Sequence, residues 1–587
     1  MNELLSSKAL FEELELRDPN DSFSLHPHHE SDHQIQFTLE TKPPQPFVPQ
    51  PTSIHWKVRA HNVKGVWRNT VDFSKRIEAD WELPHQESRI SIDSPIVCLF
   101  GHKDENILTF CCSNAVNRID LGAKYREEDN CFHCYLLFFT ECQYEIEAFS
   151  AQIRLDFTRT HFSHVLGDVA NWWEDQGLIP MPVPEIAYRP LYSTWYQFHQ
   201  NLDLDLIEKE CKLAKDLGFD SLIIDDGWQT KDSNRGYDYT GDWKPERIAD
   251  MRQFVQRLQS LGMKVATWYS VPFCGVKSTA YQRFKGKFLT ENHRWAPVFD
   301  PRYPEVRNYL VDIYKRAVLD FGLDGLKLDF IDDFRSYPET PFGGPSERDV
   351  ESISDAVDRP LNEVKTELLE INPDIFIEFR QKYVGPAIRQ YGNMLRAFDC
   401  PGDPTMNRVR TTDIRMLANK TAVHSDMVTW HFDEPVETVA IHLLSTFFSV
   451  PQLSILLTEA PDEHLRLVRF YMGYWRDRAE VLLEGDFKPS RPLGNYPILQ
   501  SRKDGVEIVG IYDDQVVRVK EPFQELDILN GKATSEVILN LEGQSGRFRL
   551  DICDCLGQTD HATTTDLNEG VHCWQVPAGG MLTLTAT

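Results

Sequence analysis

Basic charge is scarce in this chain. Lysine and arginine together number 62 against 90 aspartates and glutamates, a formal net charge of −28 at pH 7. So acidic a surface does not offer the positive footprint that phosphate backbones and anionic bilayers require, which excludes nucleic acid and membrane surfaces as expected partners. Long hydrophobic runs are missing as well. The longest, Leu443 to Leu457, is interrupted by Ser445, Pro451 and Gln452 and falls short of the ~20 apolar residues of a bilayer span. The opening residues show no basic start followed by an apolar stretch, so no signal peptide is expected. The 12 cysteines are scattered. Neither Cys131-x-x-Cys134 nor Cys553-x-Cys555 has a second pair at zinc spacing, so both are read as free buried thiols of a reducing, cytoplasmic location. No Gly-x-Gly-x-x-Gly follows an apolar strand and no Walker-type loop occurs, which excludes the dinucleotide- and nucleotide-binding open sheets.

What is present is an ordinary globular composition, 41% hydrophobic, 11% aromatic and 26% charged over 587 residues. At about 150 residues per domain this length predicts roughly four domains, fewer if one is a barrel. Residues 1–180 and 488–587 read as short apolar or alternating strands between polar turns, for example Arg89 to Phe100, Cys134 to Phe149 and Gly505 to Tyr512. Pro180, Pro182 and Pro184 mark the first boundary, and Pro489, Pro492 and Pro497 the second. Between them the period changes. Ile207, Cys211, Ala214 and Leu217 share a helical face, Gly218 stops the helix, and an apolar strand runs to Asp225. Val306, Leu310, Ile313, Ala317 and Phe321 repeat the stripe before Gly322 and a strand to Asp329. A looser copy precedes Gly262 and ends at Trp268. Glycine-capped helices followed by buried strands are the signature of βα units on a parallel sheet.

Eight strand ends can be placed, at Trp195, Asp226, Trp268, Asp329, Glu378, Asp399, Asp426 and Val450. They carry aspartates and tryptophans rather than turn glycines, and barrels keep their functional residues at such ends. The predicted architecture is α/β: a central (β/α)8 barrel over 181–487, an N-terminal β-sandwich-like domain over 1–180 and a C-terminal antiparallel β domain over 488–587. The oligomeric state stays open, a homo-oligomer included.

The strand ends suggest chemistry. In Leu326-Lys327-Leu328-Asp329, alternation points Lys327 and Asp329 to one side, and a carboxylate beside a cation stays ionised, as a nucleophile must. An ion pair closing the barrel top is the plainer reading. Asp225-Asp226-Gly227-Trp228 offers paired acceptors for vicinal sugar hydroxyls and an aromatic face for a pyranose; an oxygen-ligand metal site and simple turn chemistry compete. Trp195 and Trp268 end strands where solvent would otherwise enter. Arg396-Ala-Phe-Asp399-Cys-Pro-Gly-Asp403 supplies acids on another strand, and two carboxylates facing one cavity are what glycoside hydrolysis needs.

This set resembles the α-galactosidases of glycoside hydrolase family 36, related to the raffinose synthases, over roughly residues 185–460. The resemblance implies that Asp329, in Lys327-Leu-Asp329, is the nucleophile of a retaining α-galactosidase. It implies that Asp225 and Asp226 bind the galactose 4- and 6-hydroxyls, and that Trp195 and Trp268 line the sugar subsite. Two places depart from the family. The family acid/base is usually four residues after the arginine of the sixth strand, where this chain has Cys400; Asp399 is assigned, with Asp403 and Asp426 as rivals. At the fifth strand a cysteine- and glycine-rich segment gives way to Glu378-Phe-Arg380, which would alter the 2-position pocket or the aglycone site, with Arg380 suited to an anionic substituent unless Glu378 and Arg380 pair with each other. Trp67 is a candidate for closing the pocket from the N-terminal domain. The expected activity is hydrolysis of terminal α-galactosides of small or oligosaccharide substrates without metal or organic cofactor. A raffinose-synthase-type transglycosylase and a catalytically impaired carbohydrate-binding protein are the alternatives.

Overall fold

The computed structural model describes residues 11–31, 33–42, 45–72, 74–81, 86–343 and 347–587. Its centre is a ring of eight parallel strands: β1 (Leu191–Ser193), β2 (Ser221–Ile224), β3 (Lys264–Ser270), β4 (Gly325–Asp329), β5 (Phe376–Arg380), β6 (Met394–Arg396), β7 (Ala422–His424) and β8 (Gln452–Leu453). Sequential neighbours pair from β1 to β7, and β8 pairs with β1. Parallel bridges His424–Val450 and Val428–Leu453 close the ring. The glycine stops fall where the stripes predict them, with φ of 102° at Gly218 and 73° at Gly322, values a side chain resists. Helices Leu204–Asp216, Met251–Ser260 and Pro304–Phe321 bury the apolar faces read from the sequence against the strands.

Strand alternation sorts the barrel interior into layers. At the bottom Leu191, Ile223, Ala266, Phe376, Met394 and Ala422 pack together, with Val183, Ile186 and Tyr188 beneath them. Gly325 faces this floor because a Cβ there would stand 2.5 Å from the Phe376 ring. Polar side chains occupy the layers above.

Before the barrel, a five-stranded and a six-stranded sheet, both antiparallel, enclose an apolar core in which Trp56 meets Phe110 edge-on at 4.9 Å. The stretch from Arg89 is not one continuous strand. Asp93 turns with φ of 48°, and the strand begins only at Ile96. The turn instead reaches the barrel, where the Asp93 N–H donates to the Lys382 carbonyl at 2.7 Å. After the barrel, a seven-stranded and a three-stranded sheet enclose their own core; their pairings are antiparallel except between Val506–Ile511 and Glu525–Asn530 and between Val516–Val519 and Glu536–Leu541. Cys131 and Cys134 lie three apart in one strand and so face opposite sides of it. Among the described residues no helix is long and apolar enough to cross a membrane.

Trp67 is a strut, not a lid. It is fully buried, and its indole N–H donates to Asp413 of the barrel helix Pro404–Ala418 at 2.8 Å and to the Tyr496 hydroxyl at 3.1 Å. Lys75 pairs with the other Asp413 oxygen at 2.8 Å. One carboxylate thereby joins segments from all three parts of the chain, and pocket closure by Trp67 is ruled out by its burial.

Candidate active site

Above the apolar floor the barrel carries a layer of opposite charges. Lys327 of β4 pairs with Asp225, just beyond β2, at 2.7 Å. Glu378 of β5 accepts a hydrogen bond from Gln452 at 2.5 Å and lies 3.5 Å from the Arg396 guanidinium. His424 reaches the Ala187 carbonyl with Nε2 at 2.7 Å and Gln452 with Nδ1 at 3.2 Å. Burial lowers its pKa to about 4 and keeps it neutral. Burial raises the Glu378 pKa against the opposing charges of Lys327 and Arg396.

Asp329 ends β4 at the top of this layer. Its Oδ1 accepts from Arg380 Nε at 2.6 Å, from its neighbour Phe330 N–H at 2.7 Å and from the Tyr383 hydroxyl at 3.3 Å. Its Oδ2 accepts from the Trp268 indole at 2.9 Å. Burial pushes this carboxyl upward, but the charges of Arg380 and Lys327 outweigh it and hold the pKa at about 2. The group is an ionised carboxylate with one oxygen bound three times and the other once.

Arg380 is committed to this task. Besides Asp329 it approaches Asp332 at 3.3 Å, donates to the Gln381 carbonyl at 2.6 Å, and lies among the rings of Phe330, Phe398 and Tyr383. It does not pair with Glu378, which faces the layer below. With its donors turned to the protein, it is not a free anchor for an anionic substituent.

Arg396 organises the sixth and seventh strand ends. It donates to Asp399 at 2.8 Å and to Asp426. The three candidate acids part company here. Asp426 is fully buried and also accepts from the Tyr196 hydroxyl at 2.7 Å and the Cys400 N–H at 2.6 Å, so its oxygens are consumed inside the protein. Asp403 is exposed and caps the helix Pro404–Ala418 through the Met406 N–H at 2.8 Å, away from the cluster. Asp399 keeps a side chain 46% exposed beside Arg396. Burial raises its proton affinity, the charges of Arg396 and Arg380 lower it further, and the net direction is down; the nearby negative charge of Asp329 acts upward.

Asp225 and Asp226 lie side by side. Asp226 accepts from Gln200 and from Gln229, each at 2.7 Å, and burial raises its pKa to about 7 against those two amides. Gly227 has φ of 119°, and a Cβ there would meet Gln200 Cα at 2.5 Å, which explains the glycine of Asp225-Asp226-Gly227-Trp228. Trp228 is not a sugar platform. It is fully buried behind β3 and donates its indole N–H to the Trp268 carbonyl at 2.9 Å. Trp268, itself 2% exposed, is a carboxylate holder. Trp195 is half-buried in the short turn of helix after β1, edge-on to His199 at 4.6 Å with Arg235 over its ring. Gln200, Gln229, Tyr196 and Tyr383 were not singled out from sequence. All lie outside the barrel strands and meet their aspartates only through the fold.

Fold and site together define a (β/α)8 barrel with carboxylates gathered at the C-terminal ends of its strands, between two β-rich flanks. Neither protein-family models nor curated protein sequences give a match to this chain. Solved structures do. An α-galactosidase from Lactobacillus brevis superposes with a TM-score of 0.64 at 13% identity, covering 98% of this chain and 87% of its own. The family 36 α-galactosidase AgaA from Geobacillus stearothermophilus, as a variant in complex with raffinose, gives 0.65 at 12% identity over 98% and 87%. The galactosidase domain of the α-galactosidase–sucrose kinase AgaSK gives 0.63 at 13% over 98% and 86%. At these identities the likeness is one of fold: this chain has the fold of the glycoside hydrolase family 36 α-galactosidases.

Proposed function

We propose that the protein is a retaining α-glycosidase that hydrolyses terminal α-galactosides, with Asp329 as nucleophile and Asp399 as acid/base. The observation that carries the reading is the state of Asp329, an ionised carboxylate with its pKa near 2, aimed by Trp268, Arg380 and Tyr383 at the end of a barrel strand. Its Oδ2, bound only by Trp268, has the lone pair free to attack the anomeric carbon. Asp399, whose pKa the charges of Arg396 and Arg380 lower in the free protein, has to take up a proton when substrate is bound. The bond to the leaving oxygen then breaks as Asp399 gives that oxygen its proton, and a covalent glycosyl ester forms on Asp329. Esterification removes the negative charge that raises the proton affinity of Asp399. The same carboxyl can then take a proton from water, which attacks the ester and releases the α-configured sugar. Asp225, Asp226, Lys327, Glu378 and Arg396 supply acceptors and donors for the hydroxyls. AgaA variants crystallised with raffinose and with stachyose support an oligosaccharide substrate.

The test is release of nitrophenol from nitrophenyl α-galactoside, α-N-acetylgalactosaminide, α-glucoside and, as control, β-galactoside, by the wild type and by Asp329→Ala. Turnover of the α-galactoside that Asp329→Ala abolishes is the expected result. Residual turnover of more than a few per cent in the variant overturns the nucleophile assignment. Silence of the wild type across the panel, with sugar binding retained, favours a binding protein. Transfer to an added sugar in place of hydrolysis favours a transglycosylase.

A further inference from the structure

A single guanidinium serves three carboxylates. Arg396 donates from Nη2 to Asp399 at 2.8 Å and from Nη1 to Asp426, while its Nε faces Glu378 Oε1 at 3.5 Å. The acids come from three places, within β5 and just beyond β6 and β7. Arg396 and Glu378 are both 1% exposed. At 3.5 Å the Nε–Oε1 contact is too long for a hydrogen bond, and neither atom has a hydrogen bond elsewhere among the described residues. Asp426 therefore fixes the guanidinium by hydrogen bonding, whereas Glu378 acts on it by charge.

A general acid must carry a proton, yet Asp399 lies in a field that favours its anion. Burial pushes its carboxyl up, but Arg396, Arg380 and Lys327 face it and the net direction is down; the negative charges of Asp329 and Asp426 act upward. The hydroxyls of Tyr196 and Tyr237 share this field. Around Glu378, burial pushes the carboxyl up and Asp225 adds to that push, while Lys327, Arg396 and the Gln452 amide, bound to Oε2 at 2.5 Å, act downward. His424, on the same amide, is neutral. A negative charge beside Nε offsets the guanidinium and weakens its hold on the acid at Nη2.

Resting on the α-glycosidase reading above, we propose that Glu378 is a positioning residue for the acid/base: by offsetting Arg396 it lets Asp399 carry the proton that the leaving oxygen receives. Glu378 touches no reacting atom and acts through Arg396. Holding a hydroxyl alone would change KM and leave the pH profile where it is.

The experiment follows single-turnover release of the disaccharide from a trisaccharide with a terminal α-galactose, with enzyme in excess, across pH for wild type, Glu378→Gln and Gln452→Met. The basic limb of that rate reports the acid in the substrate complex. Without the Glu378 charge, Asp399 loses its proton more readily, and the limb of Glu378→Gln moves to lower pH by about half a unit or more. Gln452→Met keeps every charged residue but removes the amide that favours ionised Glu378, so its limb moves the same way; it decides the matter if Glu378→Gln does not fold. A limb that stays in place or moves to higher pH overturns the proposal, whatever happens to KM. A wild type that releases no sugar, from the trisaccharide or from nitrophenyl α-galactoside, overturns the glycosidase reading and this proposal with it, whereas an active wild type with unmoved variants overturns this proposal alone.

Discussion

Lys327 and Asp225 meet at 2.7 Å inside the barrel, across the intervening strand β3, with both side chains almost wholly removed from solvent. Neither charge is tolerable there alone. Lys327→Met leaves a buried carboxylate uncompensated and is expected to cost about 3–5 kcal/mol of stability. The double variant Lys327→Met/Asp225→Leu should lose less than the sum of the two single losses. Urea unfolding of the three variants measures this, and strict additivity would count against a coupled pair.

The Arg380–Asp329 contact predicts a pH dependence. The Asp329 pKa of about 2 lies below its ordinary value, which is about 3.9 in an unfolded chain. Its contribution to stability is therefore complete above that ordinary value and is lost as the pH falls toward the folded one. Arg380→Met keeps the burial and removes the opposing charge, so the Asp329 pKa rises. The acid limb of kcat/KM should move upward by about one pH unit or more. An acid limb that stays in place would mean that Arg380 does not govern this carboxylate.

Asp399 and Asp426 share Arg396 but should behave differently when altered. Asp399→Asn removes the proposed proton donor, and hydrolysis of an oligosaccharide is expected to slow by roughly 10²–10⁴-fold. An aryl galactoside with an acidic leaving group should suffer much less. Asp426→Asn disturbs Arg396, Tyr196 and the Cys400 N–H together, and so should lower both rates alike and reduce the melting temperature. Rates on the two substrates distinguish the roles, and a reversed pattern would exchange them.

Asp413 gathers Trp67, Lys75 and Tyr496 onto one buried carboxylate. Asp413→Leu removes the buried carboxylate that Trp67, Lys75 and Tyr496 share, for an expected loss of about 3–5 kcal/mol. Calorimetry should show a lower melting temperature, while kcat of the protein still folded changes little because Asp413 lies outside the carboxylate cluster. Loss of kcat without loss of stability would refute this strut.

Gly227→Ala tests the close approach behind the paired aspartates. Its Cβ would stand 2.5 Å from Gln200 Cα, at a φ of 119°. Gln200 must then move away from Asp226, so KM should rise by about tenfold or more, beyond any fall in melting temperature. A variant with unchanged KM would show that Gln200 does not set this acid.

Much of the barrel was legible because its grammar is local. A glycine in the left-handed region ends a helix whether or not the rest of the fold is known, as Gly218 and Gly322 do. Alternation within β4 correctly turned Lys327 and Asp329 to the same side, since a period of two needs no knowledge of the partner strands. Tryptophans were harder. Trp67, Trp228 and Trp268 carry the same residue type as Trp195, and only packing decides which indole is a strut, a spacer, a carboxylate holder or a half-buried ring under an arginine. The acid/base assignment was ambiguous for a similar reason: Asp399, Asp403 and Asp426 differ in what surrounds them. Gln200 and Gln229 escaped notice because an amide in a loop carries no periodic signal. Their contacts to Asp226 depend on loop paths around Gly227.

The plugged floor beneath Phe376 has a consequence for traffic. The apolar floor closes the barrel below, so whatever reaches the carboxylates must come and go on the side of the strand ends. On the reading proposed above, with a glycosyl group on Asp329, the departing sugar clears the open side before water or a competing acceptor reaches the ester. On that reading the filled floor imposes an order of exit before entry.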